Sequence, residues 1–321
     1  MKLGVFTVLM GNLSLQEALG RFKGLGIQAV ELGCGYYPGT KHCNTEELLA
    51  NEQQLKDYKA MIDDYGMMIS ALSCHGNPVH PDAAIAKESH DAFERAVQVA
   101  SKLGVDTVVG FSGCPAGAKG DKMPNWVTCS WPTDYTDVLE YQWNDVLIPY
   151  WEKATKFAND HGIKKVALEI HPGFCVYNPD TLMKLRNAVG DTIGANFDPS
   201  HLFWQGIDIP SAIRYLGDAI YHFHAKDTKV DELNTGRTGV LDTKHYGKES
   251  ERSWVFRSVG YGHDYQVWKD IMSNLRMVGY DGAISIEHED SLMSIDEGLE
   301  KAVSFLKDVI INDPVGDMFW A

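Results

Sequence analysis

The stretch Val166-Ala-Leu-Glu-Ile-His-Pro172 is typical of a buried β-strand that ends in side chains able to bind a metal ion. Glu169 lies between two apolar residues, so burial of its carboxylate requires a compensating partner. Because side chains alternate along a strand, His171 shares a face with Glu169 and lies nearer the strand end. The stretch therefore predicts a core strand with a polar, chemically active end.

Three later stretches repeat this arrangement. They are Gly194-Ala-Asn-Phe-Asp-Pro with Asp198, Tyr221-His-Phe-His-Ala-Lys with His224, and Ala283-Ile-Ser-Ile-Glu-His with Glu287. Taken singly, such a residue is more often a solvated rim carboxylate or a packed histidine. Parallel strands closed into a barrel, however, bring equivalent strand ends together at one rim. Three carboxylates and one imidazole suit one divalent metal ion, Mn²⁺ first, with Mg²⁺, Co²⁺ or Zn²⁺ as alternatives.

The rest of the chain alternates short apolar runs with longer helical patterns, which predicts an α/β fold, a (β/α)8 TIM barrel. The predicted strands are residues 3–9, 28–32, 67–74, 106–111, 165–171, 193–198, 220–226 and 283–288. The predicted helices are residues 15–24, 46–65, 84–103, 136–161, 179–189, 209–216, 264–278 and 293–311. Several of these helices are followed by a glycine that turns into the next strand. We expect a single domain over residues 1–321, because no linker is recognisable.

Two long loops interrupt the alternation, residues 112–135 after strand 4 and residues 227–262 after strand 7. Both follow strand C-termini, where loops of this length commonly act as lids or binding loops. Decoration or an oligomer contact is the alternative. The apolar ending Gly316-Asp-Met-Phe-Trp-Ala predicts docking on its own barrel or on a partner, which leaves a homo-oligomer open.

Composition narrows the classes of partner. The net charge of −15 disfavours a nucleic-acid partner, because phosphate binding is carried by Lys and Arg. No apolar stretch approaches the ~20 residues that span a bilayer, so we expect no membrane partner. The six Cys have no CxxC spacing and predict reduced thiols. With no secretory leader recognisable, we expect a cytoplasmic protein.

Four phrases resemble those of the xylose-isomerase-like TIM-barrel superfamily, the sugar phosphate isomerases and epimerases, with ketose 3-epimerases, inosose-processing enzymes and endonuclease IV as relatives. They are Glu169-Ile-His-Pro, Asn196-Phe-Asp-Pro-Ser-His, His222-Phe-His-Ala-Lys-Asp and Ile286-Glu-His-Glu-Asp. The resemblance covers nearly the whole chain and is strong in strands 5 to 8. It implies metal ligation by Glu169, Asp198, His224 and Glu287, with the two glutamates exchanging a proton with the substrate.

The resemblance also implies substrate contacts. His201, three residues after Asp198, matches a substrate-binding histidine of the ketose 3-epimerases. Those epimerases carry an Arg a few residues beyond the strand-7 histidine, whereas Val230 stands at that spacing here. Arg257, in the long loop, is the candidate replacement. The full predicted set of substrate-binding residues is His75, His171, His201, Lys226 and Arg257. For Lys226, a salt bridge to Asp227 or to a rim carboxylate is the alternative interpretation.

These observations predict a metal-dependent sugar isomerase or epimerase that transfers a proton through a metal-bound enediolate, with Glu169 and Glu287 as catalytic acid and base. The chain has no phosphate-loop motif and no cluster of basic residues near the rim, which favours an unphosphorylated ketose or keto-sugar as the small-molecule substrate. A lyase or dehydratase acting on a keto-sugar, inosose or 3-keto-glycoside would use the same metal site, and the residues do not separate the two.

Two other classes are disfavoured. An endonuclease IV-like nuclease needs three zinc ions, but no His follows strand 4, where the chain continues as Val109-Gly-Phe-Ser-Gly-Cys. The strand-7 loop also lacks an Asp-x-His pair, and the negative charge opposes DNA binding. A sugar-binding barrel without catalysis would not need the intact set of four metal-type residues.

Overall fold

The computed structural model describes residues 1–314 and 316–320. Within them, eight parallel strands form a closed barrel in which β1 pairs with both the second and the last barrel strand. The barrel strands are β1 (Lys2–Phe6), β2 (Ala29–Gly33), β3 (Met68–Ser73), β4 (Thr107–Gly110), β5 (Lys165–Glu169), β6 (Ile193–Phe197), β7 (Ile220–Ala225) and β10 (Ala283–Ile286). The predicted (β/α)8 barrel is confirmed.

Helices surround the barrel. They are α1 (Leu15–Leu25), α2 (Thr45–Ala50), α3 (Glu52–Asp64), α4 (Ala83–Leu103), α5 (Asp134–Glu140), α6 (Ile148–Asp160), α7 (Pro179–Val189), α8 (Pro199–Phe203), α9 (Ile209–Leu216), α10 (Glu232–Thr238), α11 (Tyr265–Met277) and α12 (Ile295–Val309). A π-helical segment, Tyr141–Leu147, joins α5 to α6, and 3₁₀ turns cover Thr7–Met10, Gly217–Ala219 and Glu249–Glu251. In the described part of the chain, none of these helices is long and apolar enough to cross a membrane.

Local side chains explain where several helices begin and end. Asp82 caps α4 by accepting the amides of Ala84 and Ile85, and Gly104 ends the same helix with a φ of 72°, a conformation that favours glycine. The predicted helix 46–65 is two helices instead of one. Asn51 interrupts it in an extended conformation, and its side chain accepts the first amides of α3. A residue in that conformation ends one helix and caps the next.

The inner face of the barrel is polar above a small apolar layer. Ala71, Val109 and Ala167 form a separate buried cluster on neighbouring strands. The next inward positions carry buried polar side chains, which are Glu31, Ser73, Glu169, Asn196, His222, His224 and Ser285. The main apolar core lies instead between the strands and the surrounding helices. Polar residues are therefore concentrated inside the barrel toward the rim that carries the predicted site.

The two long loops differ in structure. Residues 112–132 contain no helix or strand among the described residues. The segment after β7, in contrast, forms an antiparallel pair of strands, β8 (Asp227–Val230) and β9 (Trp254–Arg257), with α10 between them. Trp204 and Trp254 stack with their ring centroids 4.7 Å apart and anchor this pair to the segment after β6. The predicted loop 227–262 is thus a small folded wall at the rim.

Residues 316–320 of the apolar C-terminal segment are exposed rather than docked on the barrel. Met318, Phe319 and Trp320 are exposed, with Phe319 at 92% of its full exposure. Ala321 lies outside the described residues. Docking of this segment on a partner, and with it a homo-oligomer, stays a prediction.

Candidate metal centre

The four predicted metal ligands converge at the C-terminal rim of the barrel. Glu169 ends β5, Asp198 follows β6, His224 lies in β7 and Glu287 follows β10. One ligand atom from each lies within 4.8 Å of those of the other three. Asp198 and His224 are fully buried, and the side chain of Glu287 is 17% exposed. The structure therefore brings together the set that the sequence predicts.

The state of Asp198 shows that this set fits a cation. Its Oδ2 atom is buried and makes no hydrogen bond with the described residues, although Lys226 Nζ lies at 3.1 Å and His201 Nε2 at 3.3 Å. Burial raises the pKa of Asp198 to about 7; Lys226 opposes the rise, and Glu169 and Glu287 add to it. A divalent cation would supply the missing partner, and three carboxylates with one imidazole are a donor set that such ions accept.

His224 connects this set to a deeper carboxylate. Its Nδ1 atom faces Glu287 Oε2 at 3.2 Å, and its Nε2 atom lies 2.9 Å from Glu31 Oε2. Burial alone would lower the pKa of His224, but Glu31 and Glu287 hold it well above the usual value. Without a metal, the ring therefore donates from both nitrogens. Loss of the Nδ1 proton would make that nitrogen a metal ligand while Glu31 still accepts from Nε2.

Glu31 is a site residue that the sequence analysis missed. It is fully buried in β2 and accepts hydrogen bonds from Ser73 Oγ at 2.5 Å and Ser285 Oγ at 2.7 Å. Burial opposes its ionisation, but His224 and His222 lower the pKa of Glu31 to about 2. The available signal was a Glu between Val30 and Leu32, the same apolar flanking that singled out Glu169.

Asn196 and His222 extend this buried polar network and were also missed. Asn196 Nδ2 donates to Glu169 Oε2 at 3.3 Å, and Asn196 Oδ1 accepts from His222 Nδ1 at 3.0 Å. Burial lowers the pKa of His222 to about 4, so this ring is neutral at neutral pH. The orientation of Glu169 is therefore fixed from below as well as from the rim.

From the rim side, two predicted substrate contacts hold Glu169. His75 Nε2 lies 2.8 Å from Glu169 Oε2, and His201 Nε2 lies 3.1 Å from Glu169 Oε1. Burial alone would raise the pKa of Glu169, but these two hydrogen bonds hold it well below the usual value. Burial, together with His171 and Lys226, holds the pKa of His201 well below its usual value, so His201 is neutral and donates from Nε2.

Lys226 lies among the rim carboxylates. Its Nζ atom is 2.7 Å from Glu287 Oε2, 2.9 Å from Glu289 Oε2 and 3.1 Å from Asp198 Oδ2. Burial alone would lower the pKa of Lys226, but these carboxylates hold it well above the usual value. The pairing with rim carboxylates that the sequence left open is thus present. Lys226 also lines the cavity above the metal ligands, so both interpretations agree with its position.

A cavity of about 310 Å³ opens above the metal ligands. Of the predicted substrate contacts, His75, His171 and Lys226 line it, whereas His201 is outside the lining and contacts Glu169 at 3.1 Å. The cavity walls that the sequence analysis missed are Phe6, Val8, Tyr37, Pro38, Phe111 and Glu289. The five apolar or aromatic residues among them come from the first four strand–helix units, where the motifs are weak.

Arg257 requires a correction. Its guanidinium Nε pairs with Asp290 Oδ2 at 3.0 Å, and the residue lines a separate surface cavity with Lys229 and Glu249. Neighbouring residues of a strand point to opposite faces, and in β9 it is Phe256 that faces His201, with ring centroids 5.2 Å apart. Arg257 is therefore directed away from the metal ligands, and its predicted substrate contact is wrong for this structure.

Comparison with known proteins places the chain in a family. A family model described as the xylose isomerase-like TIM barrel matches residues 20–309, so the chain belongs to that family. It is also 41% identical over 312 residues to the uncharacterized protein YfiH of Bacillus subtilis strain 168. That alignment covers 97% of this chain and 99% of YfiH. The resemblance inferred from the four strand-end phrases is confirmed.

Solved structures share the fold at low identity. The IOLI protein with a bound zinc atom superposes with a TM-score of 0.67 at 19% identity, covering 97% of this chain and 98% of that one. A probable 3-DHS dehydratase, AsbF of Bacillus anthracis, gives 0.65 at 16% identity, covering 96% and 99%. D-psicose 3-epimerase in the presence of D-fructose gives 0.62 at 17% identity, covering 97% and 99%. These likenesses show the fold.

Proposed function

We propose that the protein is a divalent-metal-dependent isomerase or epimerase of an unphosphorylated ketose or keto-sugar. The observation that carries this proposal is the convergence of Glu169, Asp198, His224 and Glu287 beneath a cavity of about 310 Å³. The solved D-psicose 3-epimerase, which shares the fold, supports the same class of chemistry. A divalent cation, for which we propose Mn²⁺, would act as a Lewis acid on the carbonyl and its neighbouring hydroxyl.

Glu169 and Glu287 would move the proton. Both carboxylates are ionised at neutral pH, because their cationic and hydrogen-bonding neighbours hold the pKa of each below its usual value despite burial. Each lines the cavity, so each can reach a carbon next to the substrate carbonyl. One would remove the proton and the other would return it to the opposite face or to the neighbouring carbon. His75 and His201 would hold Glu169 in position through their hydrogen bonds.

The charges around the cavity favour an unphosphorylated substrate. In the described lining of the cavity, Lys226 is the one Lys or Arg, and three carboxylates already surround its ammonium group. Two of these carboxylates, Glu287 and Glu289, line the cavity themselves, as does Glu169. A phosphate would meet net repulsion there, whereas sugar hydroxyls can donate to these carboxylates. We also propose that the protein is cytoplasmic, because its six cysteines lack the CxxC spacing and would stay reduced there.

The test is solvent isotope incorporation. Candidate ketoses and keto-sugars would be incubated with Mn²⁺-loaded protein in deuterated water, and the products would be examined by mass spectrometry for label next to the carbonyl. We expect label with the wild type and its loss in Glu169→Gln and Glu287→Gln, even where metal remains bound. Turnover without label would reject proton transfer. A labelled product that has lost water or a substituent would assign a lyase instead.

A further inference from the structure

A cavity of about 320 Å³ lies outside the metal site, between the loop that follows β4 and the first half of α7. Thr128, Cys129 and Ser130 line this cavity and are exposed, so it opens to solvent. None of its lining residues lines the cavity above the metal ligands. The proposed reaction therefore gives this second cavity no role.

The walls of the second cavity are aromatic and carry a positive charge. Trp126 and Tyr177 meet edge to face there, with ring centroids 5.5 Å apart. Among the described lining residues, Lys184 alone is charged, and its Nζ atom lies 4.0 Å from the ring centroid of Trp143. No carboxylate of the described residues forms an ion pair with this ammonium. The cavity therefore suits a ligand that combines aromatic rings with a negative charge.

The C-terminal segment, residues 316–320, has this combination. Met318, Phe319 and Trp320 are 65%, 92% and 72% exposed, and the exposed Asp317 precedes them. The rings of Phe319 and Trp320 lie 5.0 Å apart, so they form one apolar surface. Contiguous apolar side chains on a protein surface commonly mark a site of interaction. The chain thus carries both an acidic aromatic segment and a cavity that complements it.

The segment is too short to reach the second cavity of its own chain. Ile311, shortly after α12, is held at the start of β1, because its carbonyl accepts from the nitrogen of Met1 at 3.0 Å. The cavity lies at the other end of the strands beside β5, which is four places from β1 in either direction around the barrel. The chain from Ile311 to Trp320 spans at most about 32 Å when fully extended. Passing four helices, each about 10 Å wide, already takes about 40 Å.

We propose that residues 316–320 of a second copy of this chain bind in the second cavity. The two aromatic rings of the segment pack against the aromatic walls, and the carboxylate of Asp317 pairs with Lys184. Trp131, which is 75% exposed, lies next to the opening, because the thiol of Cys129 donates to its carbonyl at 3.1 Å. The same second copy covers this side chain. Two copies that exchange their segments make the contact twice and form a closed pair.

Cys129 allows a direct test, because its thiol is exposed in the lining of the cavity. The Met318→Cys variant would be treated with oxidised glutathione and analysed by non-reducing electrophoresis and peptide mass spectrometry. We expect a disulfide between position 318 and Cys129 that joins two chains. Met277→Cys is the control, since Met277 is 62% exposed on α11, and it should form no such link. A link to Cys129 within one chain, or no link to Cys129, overturns the proposal.

The assembly in solution gives a second measurement. Sedimentation equilibrium of the wild type should show a pair of chains. The double variant Phe319→Ser, Trp320→Ser and the single variant Lys184→Glu should each raise the dissociation constant of this pair at least tenfold, because aromatic anchors and their charge partners dominate such contacts. Lys153→Glu makes the same charge change at an exposed position of α6 and should have no effect. A monomeric wild type, or an unchanged dissociation constant in either cavity or segment variant, overturns the proposal.

Discussion

Two residues outside the metal quartet, Glu31 and Lys226, act on it with opposite charges. Glu31 lies beneath His224 and accepts from its Nε2 atom at 2.9 Å. Lys226 lies on the cavity side and places its ammonium 3.1 Å from Asp198 Oδ2 and 2.7 Å from Glu287 Oε2. The first favours cation binding through His224, and the second competes with a cation for two carboxylates. Each effect can be measured by metal affinity alone.

Glu31→Gln should weaken Mn²⁺ binding by about 10- to 100-fold, the usual effect of losing a carboxylate behind a metal-binding histidine. The amide keeps the size of the side chain but lacks the charge that makes Nδ1 of His224 a stronger ligand. Affinity would be measured by competition with a chromophoric chelator. Glu52→Gln is the control, because Glu52 lies exposed on α3. Unchanged affinity in Glu31→Gln would show that Glu31 only fills space.

Lys226→Met should have the opposite effect on the metal. Removal of a unit charge beside two ligands should tighten Mn²⁺ binding by about tenfold or more, because like charges repel at this short range. The metal-free variant should lose about 3 kcal/mol of stability, because the carboxylates remain buried without their cation. Thermal unfolding with and without Mn²⁺ measures both effects. Weaker Mn²⁺ binding in the variant would contradict the competition between Lys226 and the metal.

At the scale of single residues, the sequence predicts those site residues whose placement depends only on the strand that carries them. Glu169 could be identified because it interrupts an apolar run and because metal-binding residue types stand at the ends of three other strands. Glu31 has the same flanking residues but belongs to no recognised phrase, and its role depends on His224, which is distant in the chain. Arg257 was assigned wrongly, because its direction is set by the pairing of β9 with β8, which the local sequence does not encode.

At the scale of elements, Asp227 fixes the folded wall that follows β7. Its buried Oδ2 atom accepts the amides of Gly260, Gly262 and His263 at 2.9 to 3.1 Å and the indole N–H of Trp268 at 3.2 Å. A Cβ on Gly262 would lie 2.5 Å from Asp227 Oδ1, so only glycine allows this approach. The start and the end of the 227–262 segment are therefore joined at one carboxylate.

Asp227→Asn should lower the free energy of unfolding by about 3 kcal/mol, because the buried amide loses the charge and turns a donor toward other donors. Asp231→Asn is a matched control in the same segment. Asp231 caps α10 by accepting the Asn234 amide, and Asn caps equally well, so a change of less than ~0.5 kcal/mol is expected. Urea unfolding of both variants measures this. Equal stability of the two variants would show that Asp227 does not join the segment.

Elements with strong local signals were predicted closely. The bounds of α7 and α9 agree with the predicted 179–189 and 209–216, and both helices begin with Asn or Asp followed by a proline in the first turn. The pair β8 and β9 was not predicted. Each strand has four residues, and their pairing spans the intervening helix α10, so no short-range pattern links them. The packing of Trp254 and Phe256 with Trp204, which follows from this pairing, could not be predicted either.

At the scale of the whole molecule, the barrel joins metal binding to folding. The four ligands come from the ends of β5, β6, β7 and β10, which lie side by side in the barrel, so the ligands meet only when these strands have paired. The closed topology could be predicted, because a repeated strand–helix alternation has few other solutions. The depth and polarity of the barrel interior could not, since they depend on which strand faces meet across it. An unfolded chain offers the same side chains without this geometry.

Metal removal should therefore destabilise the entire protein. A cation that binds the folded state alone adds about 2.7 kcal/mol at a concentration 100 times its dissociation constant. For a chain of this length the unfolding temperature should rise by roughly 5 °C with Mn²⁺ relative to chelator-treated protein. Asp198→Ala removes one ligand and leaves Glu169, His224 and Glu287 in place, so its unfolding temperature should no longer respond to Mn²⁺. Differential scanning calorimetry of both proteins gives the comparison. An equal rise in Asp198→Ala would mean that the stabilising cation binds elsewhere, whereas a rise confined to the wild type ties the stability of the barrel to the ligands that β5, β6, β7 and β10 bring together.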